Sequence, residues 1–130
     1  MPLVRIEMLE GKTLEYKRET MASIHKALVE ALRVPEQDQM QKLYELKAEN
    51  FITVPDMTDD AIFIEINMFK GRSRECKKNL YQAIVKNLKH SPGITETDVF
   101  IVLHEEPLEN WGIRGGKSAA EVNFNFDIEV

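Results

Sequence analysis

From Leu3 to Met8 hydrophobic and polar residues alternate, with Val4, Ile6 and Met8 on one side and Arg5 and Glu7 on the other. A period of two predicts a strand with one buried face. Gly11 and Lys12 turn the chain, Thr13 offers a helix cap, and Glu15 suits the positive end of a helix dipole. Met21, Ile24, Leu28, Ala31 and Leu32 then recur at helical spacing, predicting an amphipathic helix over 14–33 that Val34-Pro35 stops. Residues 39–46 carry a weaker strand pattern. The succession then returns. Ile62, Ile64, Ile66 and Met68 share one strand face, Ser73 caps a helix with Cys76, Leu80, Ala83, Ile84 and Leu88 inward, and Pro92-Gly93 ends it. Val99 to Leu103 is unbroken apolar sequence and reads as a strand buried on both faces.

The two runs are copies. With Gly11 laid on Gly71, Ile6 meets Ile66, Met8 meets Met68, Glu15 meets Glu75, Lys17 meets Lys77, Ile24 meets Ile84 and Leu28 meets Leu88. Asp38 meets Asp98, Glu45 meets Glu105 and Asn50 meets Asn110, all without a gap. Each β-α-β unit should cross over right-handed and hold its strands parallel. The expected fold is α/β (α+β): a four-stranded mixed sheet from a tandem β-α-β repeat, with two helices on one face. One domain spans 1–130, with pseudo-repeats over about 2–53 and 61–113 joined by a short polar linker at 54–60. The tail after Glu105 reads as lying outside the repeat. It bends through glycine-rich 111–116, and alternating Val122, Phe124, Phe126, Ile128 and Val130 predict a C-terminal strand over 120–130. A neighbouring subunit would cover that strand's apolar face.

Composition narrows the function. In 130 residues, 43% hydrophobic, 17 basic residues face 22 acidic ones, a net charge near −5. That balance and the lack of a basic stripe argue against nucleic acid. No apolar run approaches a membrane span, and the N-terminus does not read as a secretory signal. A single cysteine, Cys76, suits a reducing cytoplasm and reads as core. No histidine pair is spaced for a metal, and no cofactor motif is present. His25 reads as a helix-face residue, His90 as a helix-end cation, and His104 as a strand end.

Three places carry chemistry. Pro2 follows the initiator methionine, whose removal a small second residue commonly permits. The resulting secondary amine would titrate near the α-amino range of about 7.7–8.0 and could act as base, acid or nucleophile. Equally, a proline at a strand start costs no ladder bond. Arg72 and Arg74 run from a strand end into a helix N-terminus, where main-chain N–H groups favour an anion. Lys12 is the basic counterpart of Arg72, so Arg72 can be scaffold. Arg74 replaces Leu14 and sets a cation where the dipole opposes it. Asp38 agrees with Asp98, which favours a shared turn over a special function.

Met-Pro at a strand start, two β-α-β copies about sixty residues long and paired arginines at the second helix start together resemble the tautomerase superfamily. More narrowly the chain is similar to the malonate semialdehyde decarboxylase branch and the bacterial proteins grouped with it. Met1-Pro2-Leu3, Leu9-Glu10-Gly11, Val34-Pro35-Glu36-Gln37-Asp38, Arg72-Ser73-Arg74-Glu75 and Asn110-Trp111 through Gly116-Lys117 carry the likeness in order. It implies Pro2 as catalytic amine, and Asp38 tuning its protonation or positioning a water. Arg72 and Arg74 would hold a substrate carboxylate, Trp111 would wall the pocket, and the assembly would be a homotrimer without a cofactor. Ile113 stands where the decarboxylase pattern has an aromatic, and Arg114 adds a charge. A neutral Pro2 would tautomerise a small 2-oxo acid. A protonated Pro2 would support decarboxylation or hydration of a 3-oxo acid. The alternative is a non-enzymatic ferredoxin-like sensor with the same element order, binding an effector anion through the arginines.

Overall fold

The computed structural model describes residues 2–124. Strand β1 (Leu3–Leu9) leads through helix α1 (Leu14–Leu32) to β2 (Gln41–Leu46); β3 (Ile62–Phe69), α2 (Arg74–His90) and β4 (Val99–Glu106) repeat the unit. The sheet order is β2-β1-β3-β4. β1–β2 and β3–β4 are parallel, and β1 and β3 meet antiparallel at the centre. In a ferredoxin-like split unit another strand separates the two parallel strands. Here they are direct neighbours, so the ferredoxin-like alternative is not this fold.

The repeat is reproduced in local interactions. Thr13 accepts from the Tyr16 N–H at 3.0 Å, and Ser73 accepts from the Cys76 N–H at 3.1 Å. Lys17 pairs with Glu45 at 2.8 Å, as Lys77 does with Glu105 at 2.5 Å. Each copy also closes with a 3-10 turn, Ala48–Asn50 and Leu108–Asn110. The repeat therefore continues past Glu105, where the apolar pattern alone stops: a turn carries no periodicity to detect.

Both helices cover the same sheet face. Val4, Ile6 and Met8 of β1 and Ile62, Ile64, Ile66 and Met68 of β3 pack with Ile24, Leu28, Leu32, Leu80, Ile84 and Leu88 into one core. The helices also pack on each other. Ser23 donates to the Ser91 carbonyl at 2.5 Å, and the Asn87 side-chain amide donates to the Ser23 carbonyl at 3.2 Å. Thr20, Ser23 and His25, polar residues outside the apolar stripe, are buried as well.

Two expectations change. β4 is not buried on both faces. It is a sheet edge with no helix on its other side, so Phe100 stays 52% exposed while Ile101 and Leu103 pack inward. The C-terminal strand is not seen in the described part of 120–130. Ala119–Glu121 is a 3-10 turn, 122–124 have no strand pairing, and 125–130 lie outside the described residues. The glycine-rich bend forms a two-stranded ribbon, β5 (Gly112–Ile113) with β6 (Lys117–Ser118). Gly115 and Gly116 make its turn at φ 81° and 88°, a region costly for other residues.

Candidate active site

Strand directions decide what meets at each end of the sheet. Leu3 lies opposite Asn67, so the start of β1 flanks the end of β3. β2 begins beside Val4, and β4 finishes beside Phe69. Pro2, Asp38 ahead of β2, segment 70–74 behind β3 and Trp111 behind β4 are therefore gathered at one sheet end.

Pro2 is buried there. The Val4 N–H donates to the Met40 carbonyl at 3.0 Å, tying the segment after Asp38 to β1. Asp38 is half-buried, and its own N–H donates to the Pro35 carbonyl at 3.0 Å. The two arginines differ sharply. Arg72 is only 6% exposed, and its guanidinium reaches the Leu32 and Phe69 carbonyls at 3.4 and 3.5 Å. Its Nε has no partner. Burial lowers its pKa, with Cys76 and Glu105 acting in the other direction; as a guanidinium it remains charged. Arg74, the first residue of α2, is exposed and pairs with no described residue. Its guanidinium is offered to solvent beside a helix N-terminus, an arrangement suited to a carboxylate.

Trp111 packs edge-on against Phe69, centroids 5.0 Å apart, and its indole N–H donates to the Glu106 carbonyl at 3.2 Å. With Leu3, Met40, Gly112, Ile113 and Arg114 it lines a cavity of about 340 Å³. Arg114 holds φ 48° and lays its guanidinium 5.6 Å from the Phe124 ring. Ile113, read from sequence as a pocket residue, is in this wall.

The sequence reading missed the setting of His25. Its ring is 7% exposed, and Nε2 lies 2.6 Å from the Glu36 carbonyl. A carbonyl only accepts, so Nε2 carries the proton. Nδ1 has no partner. A histidine facing the helical stripe's edge, where the other copy has Val85, was the available signal. The remaining candidates are structural. Cys76 is buried and donates to the Ala31 carbonyl at 3.3 Å. Asp98 accepts from the Thr58 N–H at 2.7 Å, the Thr58 hydroxyl at 2.6 Å and the Thr95 hydroxyl at 3.2 Å. Among the described residues no three His, Cys, Asp or Glu side chains converge on a metal position, and no helix is long and apolar enough to cross a membrane.

Two family patterns described as tautomerase enzyme match the chain, over residues 38–114 and 2–61. "Probable tautomerase YusQ" of Bacillus subtilis (strain 168) is 28% identical over 123 residues, covering 91% of this chain and 97% of that protein. FG41 malonate semialdehyde decarboxylase, solved with 3-bromopropiolate as inhibitor, superposes with a TM-score of 0.84 at 25% identity, covering 94% of this chain and 98% of the other. Wild-type fused 4-OT, solved as a symmetric trimer, has a TM-score of 0.81 at 24% identity over 91% and 96% of the two chains. A doubled β-α-β sheet of this topology, with family patterns covering both copies, makes the chain a member of the tautomerase superfamily of enzymes.

Proposed function

We propose that Pro2, exposed as a secondary amine once Met1 is removed, is the reacting group on a small 2-oxo or 3-oxo carboxylic acid. The observation that carries this reading is the shared sheet end, where the start of β1, the Asp38 turn, the arginine segment and the Trp111 cavity meet. Arg74 takes the substrate carboxylate in forked hydrogen bonds, with Arg72 behind it and the α2 N-terminus adding its dipole. Trp111 and Ile113 hold the carbon skeleton. In keto–enol tautomerisation neutral Pro2 takes a proton from carbon or the enol hydroxyl and returns it at the other atom. Asp38 steadies the ammonium form by its opposite charge.

The second chemistry is decarboxylation or hydration of the malonate-semialdehyde type. Protonated Pro2 polarises the 3-oxo carbonyl, or the amine condenses with it to an iminium ion and releases water. The bond to the carboxylate then breaks, its electron pair moves toward the cationic centre and carbon dioxide leaves. Fused 4-OT, solved as a trimer, supports a homotrimer here.

Borohydride reduction with candidate 2-oxo and 3-oxo acids, read by peptide mass spectrometry, tests the assignment. A substrate-dependent adduct on Pro2 marks the nucleophilic route, and turnover without adduct marks acid–base chemistry. Full activity in material whose intact mass retains Met1 overturns the Pro2 assignment altogether.

A further inference from the structure

We infer that His25 is a positioning residue, which sets the 34–38 turn so that Asp38 is held at the Pro2 end of the sheet. The inference rests on the reading of that end as the active site. In the second copy the equivalent turn is fixed by its own acid: Asp98 is 1% exposed and takes hydrogen bonds from Thr58 and Thr95. The residue facing that turn from α2 is Val85, which can form none. In the first copy Pro35 occupies the place of Thr95 and has no hydroxyl to give. Both turns share a main-chain bond, Asp38 N–H to the Pro35 carbonyl and Asp98 N–H to the Thr95 carbonyl, each at 3.0 Å; the first turn gains a bond from the helix, where His25 donates through Nε2 to the Glu36 carbonyl at 2.6 Å, two residues before Asp38.

The arrangement has a cost. The other ring nitrogen, Nδ1, is buried with no hydrogen-bond partner among the described residues, a deficit that Val85 avoids at the equivalent place. A residue selected only for packing between α1 and the turn would be apolar, as in the other copy. A turn pinned to a rigid helix also meets the sub-ångström demand that acid–base geometry places on its supports.

The test compares His25→Asn with His25→Gln, alongside Pro2→Ala and Asp38→Asn, in enol-to-keto conversion of small 2-oxo acids and carbon dioxide release from 3-oxo acids. The Asn amide is too short to reach the Glu36 carbonyl; the Gln amide reproduces the position of Nε2. We expect His25→Asn to lower kcat about 10- to 100-fold with KM changed less than about 3-fold, and to speed amide exchange at 36–38. His25→Gln should restore both. A folded His25→Asn protein with unchanged kcat, or a Gln variant that does not rescue, overturns the inference. Should the Asn variant not fold, nitrogen NMR of the wild-type imidazole decides: an Nε2–H tautomer with a slowly exchanging proton is expected, and an Nδ1–H tautomer refutes the clamp. If Pro2→Ala and Asp38→Asn both leave turnover intact, the active-site reading itself fails, independently of whether the turn is clamped.

Discussion

The two ends of the sheet began as the same structure and now differ in one instructive way. At the end remote from Pro2, Phe51, Phe63 and Phe100 form an aromatic cluster with centroids 5.5 and 5.8 Å apart. Sixty residues away in register stand Trp111, Leu3 and Met40. Those three line the cavity of about 340 Å³. Two phenyl rings have been exchanged for more flexible aliphatic side chains and the third for an indole, so the ring-on-ring cluster of one end has no counterpart at the other. The charges divide in the same way. Lys12 is bound to Asp60 and lies over the Tyr16 ring, whereas Arg74 stands unpaired among the described residues, and its counterpart Leu14 is apolar and 58% exposed. One end spends its groups on folding; the other leaves a cavity and a cation near the start of β1.

The largest expected effect tests that division directly. Pro2→Ala exchanges the ring-held secondary amine for a freely rotating primary amine and should reduce turnover about 10²- to 10⁴-fold, the range of a positioned acid–base group, while a thermal melt and the substrate-carboxylate affinity stay near wild type. The matching change at the other end, Ile62→Ala, should do the reverse: a fully buried core side chain is truncated, costing about 2–5 kcal/mol of stability in a denaturant titration. If Pro2→Ala kept its turnover, the two ends would be chemically equivalent and the comparison would lose its functional meaning.

Arg74→Ala comes next. Removing a charged hydrogen-bond donor costs about 1.5–3 kcal/mol, so kcat/KM should fall about 10- to 100-fold, read in steady-state kinetics. Leu14→Arg places the same cation at the start of α1, at the sheet end remote from Pro2, and should confer no activity there. Arg72 separates from Arg74 in the same experiment. Its guanidinium braces the Leu32 and Phe69 carbonyls, so Arg72→Ala should lower the melting temperature as well as the activity.

How far the sequence carries this picture depends on the kind of interaction. The two β-α-β units, their caps at Thr13 and Ser73 and the parallel pairing follow from periodicity and local chemistry, which act within a few residues and leave a mark in the string. The residues gathered with Pro2 were legible because the repeat exposes substitutions such as Leu14 to Arg74. The orientation of Arg72 was not legible: whether a cation turns outward or back to main-chain carbonyls is decided by packing between α1 and β3, forty residues apart in sequence. The edge position of β4 was hidden for a related reason, since an apolar run records burial somewhere, in a core or against another subunit, without saying which. The setting of His25 is hard to read from the string because its partner is a backbone carbonyl, which no residue type announces.

Asp98 supplies a smaller effect, on stability alone. Burial by itself would raise its pKa, but the hydroxyl and N–H of Thr58, the hydroxyl of Thr95 and the charge of Lys12 hold it below the ordinary carboxylate value. Its native form thus binds a proton less readily than the unfolded chain. The stabilisation is present above the unfolded value near 3.9 and is lost as pH falls below it. Asp98→Asn should flatten that acid limb in melts recorded as a function of pH and leave kcat unchanged. Asp38→Asn should cut turnover and leave the acid limb largely in place.

The smallest effect lies at the alkaline side and again sets one end against the other. Tyr16 and Cys76 occupy equivalent positions in α1 and α2. Burial raises both groups, the phenol from 10.0 to about 12 with help from Asp60 and Asp98, the thiol against the opposing charges of Arg72, Arg33 and Lys77. A raised phenol value means that the folded protein keeps its proton where the unfolded chain gives it up. The contribution is therefore complete below pH 10 and disappears as pH climbs toward 12. Ultraviolet titration should show one of the three tyrosines ionising late, and Tyr16→Phe should remove that step. A Tyr16 that titrated near 10.0 would mean that the Lys12–Asp60 corner is open to water, and the contrast between a closed end and an open one would no longer hold.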